Sequence, residues 1–89
     1  MQRKFVNKLR VIIYTTKSCG YCILAKNLLK KYDIDYKEID VSNKTENKKE
    51  MVMKSLGKKT VPQIFFGQNH IGGFFELNQL HLNGDLIKN

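Results

Sequence analysis

The chain has 89 residues, 42% of them hydrophobic, with four Tyr and five Phe and a net charge of +8. That length holds one small domain with one hydrophobic core, and the composition is that of a chain that folds alone rather than a disordered one. A surplus of Lys and Arg attracts nucleic acid, anionic lipid or a small acidic substrate. Here it is mostly scattered lysine, with no aromatic-rich RNA-binding motif or helix-turn-helix beside it, so nucleic acid is not an expected partner. Two cysteines cannot build the multi-bridge framework of a small secreted domain, and a reducing compartment fits better. The apolar run from Val11 to Tyr14 is too short for a membrane span or a signal-peptide core, so no membrane association and a cytoplasmic location are expected.

Residues 1–9, with Arg3, Lys4 and Lys8, read as a solvated basic arm on a single domain spanning 1–89. Val11-Ile12-Ile13-Tyr14, followed by Thr15-Thr16, is a β-branched and aromatic run that predicts a strand buried on both faces. Beyond Ser18, a favourable N-cap, Tyr21, Ala25, Leu28, Leu29 and Tyr32 recur at helical spacing, so a helix begins at the cysteines. Asp33-Ile34-Asp35 turns the chain into a weaker strand, with Ile39 and Val41 facing inward. Thr45 to Leu56 predicts a second helix with Met51, Val52, Ser55 and Leu56 on its buried side and Gly57 as its C-cap. Val61 to Phe66 and His70-Ile71 flank Gly67-Gln68-Asn69 as a hairpin, which Gly72-Gly73 ends. Phe74, Phe75, Leu77, Leu80, Leu82 and Leu86 support a closing helix, interrupted at Gly84. The order βαβαββα predicts an α/β domain in which a mixed four-stranded sheet carries helices on both faces, the thioredoxin-like fold.

Cys19-Gly20-Tyr21-Cys22 opens the first helix. Residues three apart share a helix face, so the two sulfurs can close a reversible disulfide with little backbone movement. Only a thiolate attacks a disulfide, and the unpaired N–H groups and positive dipole end of a helix N-terminus stabilise one. Lys17 adds a positive charge. Cys19 is therefore the expected nucleophile, and Cys22, one turn further in, the resolving thiol. The same spacing occurs in half zinc sites, but a zinc site needs two more ligands. His70 and His81 lie far downstream of Cys22 and read as a polar strand residue and an exposed helix residue.

Tyr14-Thr15-Thr16-Lys17-Ser18-Cys19-Gly20-Tyr21-Cys22, Thr60-Val61-Pro62-Gln63-Ile64-Phe65 and His70-Ile71-Gly72-Gly73 together resemble glutaredoxins of the dithiol type, over roughly residues 10 to 86. Pro62 on its own reads as a trans proline opening a strand, because only about 5–6% of X–Pro bonds in folded proteins are cis. The resemblance implies instead a cis bond facing the cysteines, with Thr60 and Val61 holding an extended substrate by their backbone. It also implies an enzyme: a glutathione-dependent disulfide oxidoreductase acting on glutathionylated and disulfide-bonded proteins, with glutathione as reductant and no tightly bound cofactor, working as a monomer. The carboxylates of glutathione would meet Lys17 and a second-helix lysine, Lys48 or Lys49, of which Lys49 is the one chosen, and Tyr21 would lie beside the bound sulfur. Gly73 would let the ligand approach, and the N–H groups of Phe74 and Phe75 would receive a carboxylate.

Two departures from the family pattern stand out. Polar residues usually occupy the positions of Phe75 and Glu76; Phe75 removes a side-chain contact, whereas Glu76 can pair with the γ-glutamyl ammonium. Most dithiol members carry proline where this chain has Gly20. Some relatives without that proline hold a [2Fe–2S] cluster between two subunits through the first cysteine and glutathione, so Cys19 as an iron ligand in a cluster carrier is the alternative expectation.

Overall fold

A computed structural model describes residues 10–43 and 45–86, so the basic arm, residues 1–9, lies outside the described residues. Its elements are β1 (Val11–Thr15), α1 (Gly20–Lys31), β2 (Lys37–Asp40), α2 (Thr45–Lys54), β3 (Gln63–Phe66), β4 (Asn69–Gly72) and α3 (Phe74–Leu82). The strands lie in the order β2-β1-β3-β4. β1 pairs in parallel with β2, Ile13 opposite Glu38, and antiparallel with β3, Ile13 opposite Ile64; β4 adds antiparallel to β3. This is the mixed sheet with three helices that the element order predicts.

Side chains alternate across a strand, so a central strand covered on both sides needs apolar residues at every position. Val11 and Ile13 join Ala25, Leu29, Ile64, Phe66 and Leu77 in one cluster, under α1 and α3. Tyr14 and Phe65 point the other way and meet Val41 and Met51, under α2. The unbroken run in β1 thus divides between two cores.

All three helices end in the same way. Ile34, Gly57 and Asp85 each return an N–H to the carbonyl five residues back, Leu29, Val52 and Leu80, at 3.0, 2.8 and 2.8 Å. The residue before each, Asp33, Leu56 and Gly84, is left-handed, with φ of 56°, 59° and 78°. These are Schellman terminations. Leu56 therefore does not belong to the buried side of α2: the helix stops at Lys54, and Leu56 occupies the left-handed position that glycine usually fills, 92% exposed. His81 also differs from the exposed helix residue expected, since its Nδ1 lies 2.6 Å from the Tyr32 hydroxyl and its ring meets Tyr32 edge-on, joining the C-terminal ends of α1 and α3.

Two carboxylates tie side chains to the sheet. The Thr15 hydroxyl donates to Glu38 Oε2 at 2.6 Å and Lys26 Nζ stands 3.0 Å away; the Thr15 bond first and Lys26 second hold Glu38 below the usual carboxylate range. The Tyr14 hydroxyl donates to Glu50 Oε2 at 2.6 Å, which lowers Glu50 chiefly through that bond and secondarily through Lys54. Burial, reinforced by Glu50, pushes the Tyr14 hydroxyl well above the ordinary tyrosine range.

A left-handed backbone costs a non-glycine residue about 1–2 kcal/mol. With its side chain exposed, Leu56→Gly is expected to stabilise the fold by on the order of 1 kcal/mol, raising the melting temperature by about 4 °C or more in a scan at neutral pH. A carboxylate lowered in the folded state contributes stability that is complete above its unfolded value of about 4.3 and is lost as pH falls through the folded value. Melting temperature should accordingly fall between pH 6 and pH 3, and fall less steeply in the Thr15→Val, Tyr14→Phe double variant, which removes both hydroxyl donors.

Candidate active site

β1 ends at Thr15 and α1 starts at Gly20, so Cys19 stands in the connection leaving the C-terminal end of a central strand and Cys22 in the first turn of the helix. Cys19 is the N-cap: its backbone is extended (φ −133°, ψ 107°), and its Sγ accepts the Cys22 N–H at 3.1 Å. Ser18, the conventional capping residue, precedes the cap by one position, and sulfur does what a hydroxyl normally does. That bond offers a Cys19 thiolate a donor in addition to the helix dipole. Cys22 is 1% exposed, whereas Cys19 is half-buried. The two form a disulfide with Cα atoms 5.2 Å apart.

The Val61–Pro62 bond is cis, and Cys19 Sγ lies 3.8 Å from the Val61 carbonyl oxygen. The loop carrying that bond is braced from behind. Gln63, 3% exposed, donates through Nε2 to the Thr60 carbonyl at 3.1 Å and the Thr60 hydroxyl at 3.2 Å. Its Oε1 then faces His70 Nε2 at 2.6 Å, so that nitrogen carries the proton, and the ring stacks on Phe65 at 4.8 Å. His70 is a strand residue, as its position predicts, with a bracing role the sequence does not disclose.

Opposite this loop, α3 begins after two glycines with separate duties. A Cβ on Gly73 would lie 3.3 Å from the Pro62 carbonyl oxygen, so glycine lets the two segments approach. Gly72 has φ 119°, and a Cβ there would lie 2.8 Å from Glu76 Cγ. Glu76 folds back over it, its Oε1 accepting the Gly73 N–H at 2.7 Å. The first backbone bond of α3 runs from the Leu77 N–H to the Gly73 carbonyl at 3.1 Å. The N–H groups of Phe74 and Phe75 precede it and remain available at the helix N-terminus.

An open groove of about 490 Å³ runs between these segments. It gathers Tyr21, Thr60, Val61, Pro62, Gly73, Phe74, Phe75 and Glu76, all of them candidates from the sequence. The tyrosine ring stacks on Phe74 at 6.0 Å and tilts against Phe75 at 5.1 Å. Lys17 and Lys49 line other hollows. Lys17 stands with Asp40, Glu38 and Asn47, its backbone N–H bonded to Ser42 Oγ at 3.1 Å. The Ser42 hydroxyl and N–H, and then the Lys17 charge, hold Asp40 below the usual carboxylate range. Lys49 lies beside Val52, Met53 and Lys59. The lysine in the groove itself is Lys58, which sequence reasoning missed. Its signal was its place just before Thr60-Val61-Pro62, with Ser55 Oγ accepting its N–H at 3.1 Å.

Among the described residues, no group of three or more His, Cys, Asp or Glu is arranged to hold a metal ion, and no helix is long and apolar enough to cross a membrane. A [2Fe–2S] cluster takes four ligands, and Cys19 and Cys22 are the only cysteines the chain has to offer.

The glutaredoxin family model matches residues 11–71. Glutaredoxin 1 of Rickettsia prowazekii is 52% identical over 79 residues, which cover 88% of this chain and 83% of that protein. Among solved structures, glutaredoxin from Brucella melitensis superposes with a TM-score of 0.77 at 41% identity, covering 90% of this chain and 86% of that one. A buckwheat glutaredoxin in complex with glutathione gives 0.75 at 27% identity, covering 92% and 76%. The family model and relatives that match most of this chain's length show that the chain belongs to the glutaredoxin family, with a dithiol-type pair at Cys19 and Cys22.

Proposed function

We propose that the chain is a glutathione-dependent oxidoreductase that reduces glutathione mixed disulfides and protein disulfides through Cys19 and Cys22. Family membership carries the thiol oxidoreductase role. The observation supporting the finer assignment is the groove beside Cys19. It combines the Val61 backbone for an extended peptide, the α3 N-terminus for a carboxylate, and Lys58 as a cation. The buckwheat relative that shares the fold is itself a glutathione complex.

In deglutathionylation, the Cys19 thiolate attacks the glutathione sulfur of the mixed disulfide. A Cys19–glutathione bond forms as the bond to the substrate sulfur breaks, and the substrate leaves as a thiolate that takes a proton. A second glutathione thiolate attacks that sulfur, releasing Cys19 and glutathione disulfide. With a protein disulfide, Cys19 first bonds to one substrate sulfur. Cys22 then attacks Cys19 Sγ, the reduced substrate departs, and the enzyme is left with the Cys19–Cys22 bridge present in this structure. Two glutathione thiols reopen the bridge in sequence, so one substrate disulfide is reduced for each glutathione disulfide formed.

Within this cycle, the Cys22 N–H stabilises Cys19 as attacking and leaving thiolate. Tyr21 flanks the sulfur, and Thr60, Val61 and Pro62 seat the peptide backbone. Gly73 admits the ligand, and the Phe74 and Phe75 N–H groups receive the γ-glutamyl carboxylate. Glu76 caps α3 through Oε1, and its second carboxylate oxygen can meet the γ-glutamyl ammonium. Lys17 and Lys49 contribute long-range attraction for an anionic ligand. The cycle needs one chain, no metal, and a reducing compartment such as the cytoplasm.

With glutathione and a recycling reductase, the wild type is expected to turn over a small glutathione mixed disulfide and a protein disulfide. Cys19→Ser should reduce both to background. Cys22→Ser should lose protein-disulfide reduction while keeping deglutathionylation, which needs one cysteine. Negligible wild-type turnover of the glutathione substrate would overturn the assignment.

A further inference from the structure

Phe75 is 64% exposed and Tyr21 51%, although their rings meet at 5.1 Å beside the disulfide. Core packing does not account for them: of the neighbouring aromatics, Phe74 is the one that packs against the hydrophobic cluster. The stripe continues away from the groove on each helix. Leu24, 46% exposed, follows Tyr21 by one turn of α1, and Leu82, 67% exposed, follows Phe75 by two turns of α3. The helices run side by side in the same direction, since Tyr21 meets Phe74 and Phe75 at one end and Tyr32 meets His81 at the other. Exposed apolar side chains on a chain of net charge +8, with two aromatic rings in contact beside the reactive cysteines, mark a contact surface.

The chemistry of this face is unlike that of glutathione. Phe75 presents no charge to a zwitterionic tripeptide, and the one carboxylate nearby, Glu76, is turned back onto Gly73. What two exposed aromatic rings offer is contact area for another large apolar side chain, in the offset or edge-to-face geometry such rings favour.

We infer that Tyr21 and Phe75 form a docking wall for an aromatic or large aliphatic residue flanking the reactive cysteine of the substrate protein, and that Phe75 sets this selectivity. The inference rests on the exchange chemistry proposed above. The wall acts on the partner's side chains, so it adds a preference among protein substrates beyond recognition of glutathione.

The test uses Cys22→Ser, which holds Cys19 in a stable mixed disulfide. Two short peptides carry one cysteine flanked on both sides by Phe or on both sides by Ser. The mixed disulfide with one peptide is equilibrated with the thiol of the other, and the adducts are quantified by mass spectrometry. In the exchange, the bond from Cys19 Sγ to one peptide sulfur breaks as that to the other forms, and a proton passes from the incoming thiol to the departing one. The Phe peptide should be favoured about ten-fold, equivalent to about 1.4 kcal/mol. Adding Phe75→Thr should bring the preference within about two-fold, and Phe75→Tyr should retain it, a preference of this size being what one aromatic contact supplies. Equal binding of the two peptides, or a Phe preference untouched by Phe75→Thr, would overturn the inference. No glutathione enters this equilibrium, so failure here is separate from failure of the turnover assay above.

Discussion

β1 is hydrogen-bonded on both edges and buried on both faces, and that double enclosure sets the arrangement of everything else. Its odd residues, Val11 and Ile13, require a cover supplied by α1 and α3, and Tyr14 requires another supplied by α2. The parallel neighbour β2 is reached through α1, and the antiparallel neighbour β3 is reached from β2 through α2. The strand must then leave the sheet at Thr15, and the next helix must start within a few residues to cover the apolar face. Cys19 stands in that short connection and Cys22 in the first turn of α1, so the nucleophile is held by a strand enclosed on both faces.

Cys19 unites three roles that are usually separate. As N-cap it starts the helix, as acceptor of the Cys22 N–H it receives help in carrying negative charge, and as partner of Cys22 it closes the disulfide. Each reinforces the others, because the N-cap geometry that aims Sγ at the Cys22 N–H also brings the two sulfurs together. Across the groove the second helix terminus is managed differently. Glu76 caps α3 through the Gly73 N–H, which leaves the first-turn N–H groups open to a ligand. One helix start makes the reactive sulfur and the other makes an anion site, and the Pro62 carbonyl packed against Gly73 fixes the distance between them.

Elements were legible in the sequence wherever burial imposed a pattern. The two-faced strand, the helix starting at the cysteines, the hairpin and the final helix all follow from periodicity, and the motif residues of the groove follow from the family resemblance. What escaped notice depends on local stereochemistry or on long-range proximity. Leu56 reads as core because leucine at that spacing normally is; the Schellman turn, which places a left-handed residue there, ends the helix two residues sooner. Ser18 is a better cap than Cys19 by propensity, and the connection from β1 overrides that preference. The Gln63–His70 brace and the Tyr32–His81 contact join residues whose neighbourhood exists only after the sheet and helices have packed. Lys58 was missed because α2 ends before it, so helical position said nothing about where its side chain stands.

Charge and shape divide recognition between them. Sixteen basic residues against eight acidic ones act over about a Debye length of 10 Å at 0.1 M salt, drawing anionic partners to the surface without distinguishing among them. Lysines such as Lys17 and Lys49 contribute from hollows outside the groove, and Lys17 shares its field with Asp40. Discrimination requires contact at short range, and at the groove the surfaces in reach are the backbone near Val61, the N-terminus of α3 and the rings of Tyr21 and Phe75. The first two recognise a peptide main chain and a carboxylate, features that glutathione and proteins share. The rings are the part of the groove that responds to a side chain, which is why an aromatic residue at position 75 bears on the choice of substrate more than on the exchange reaction itself.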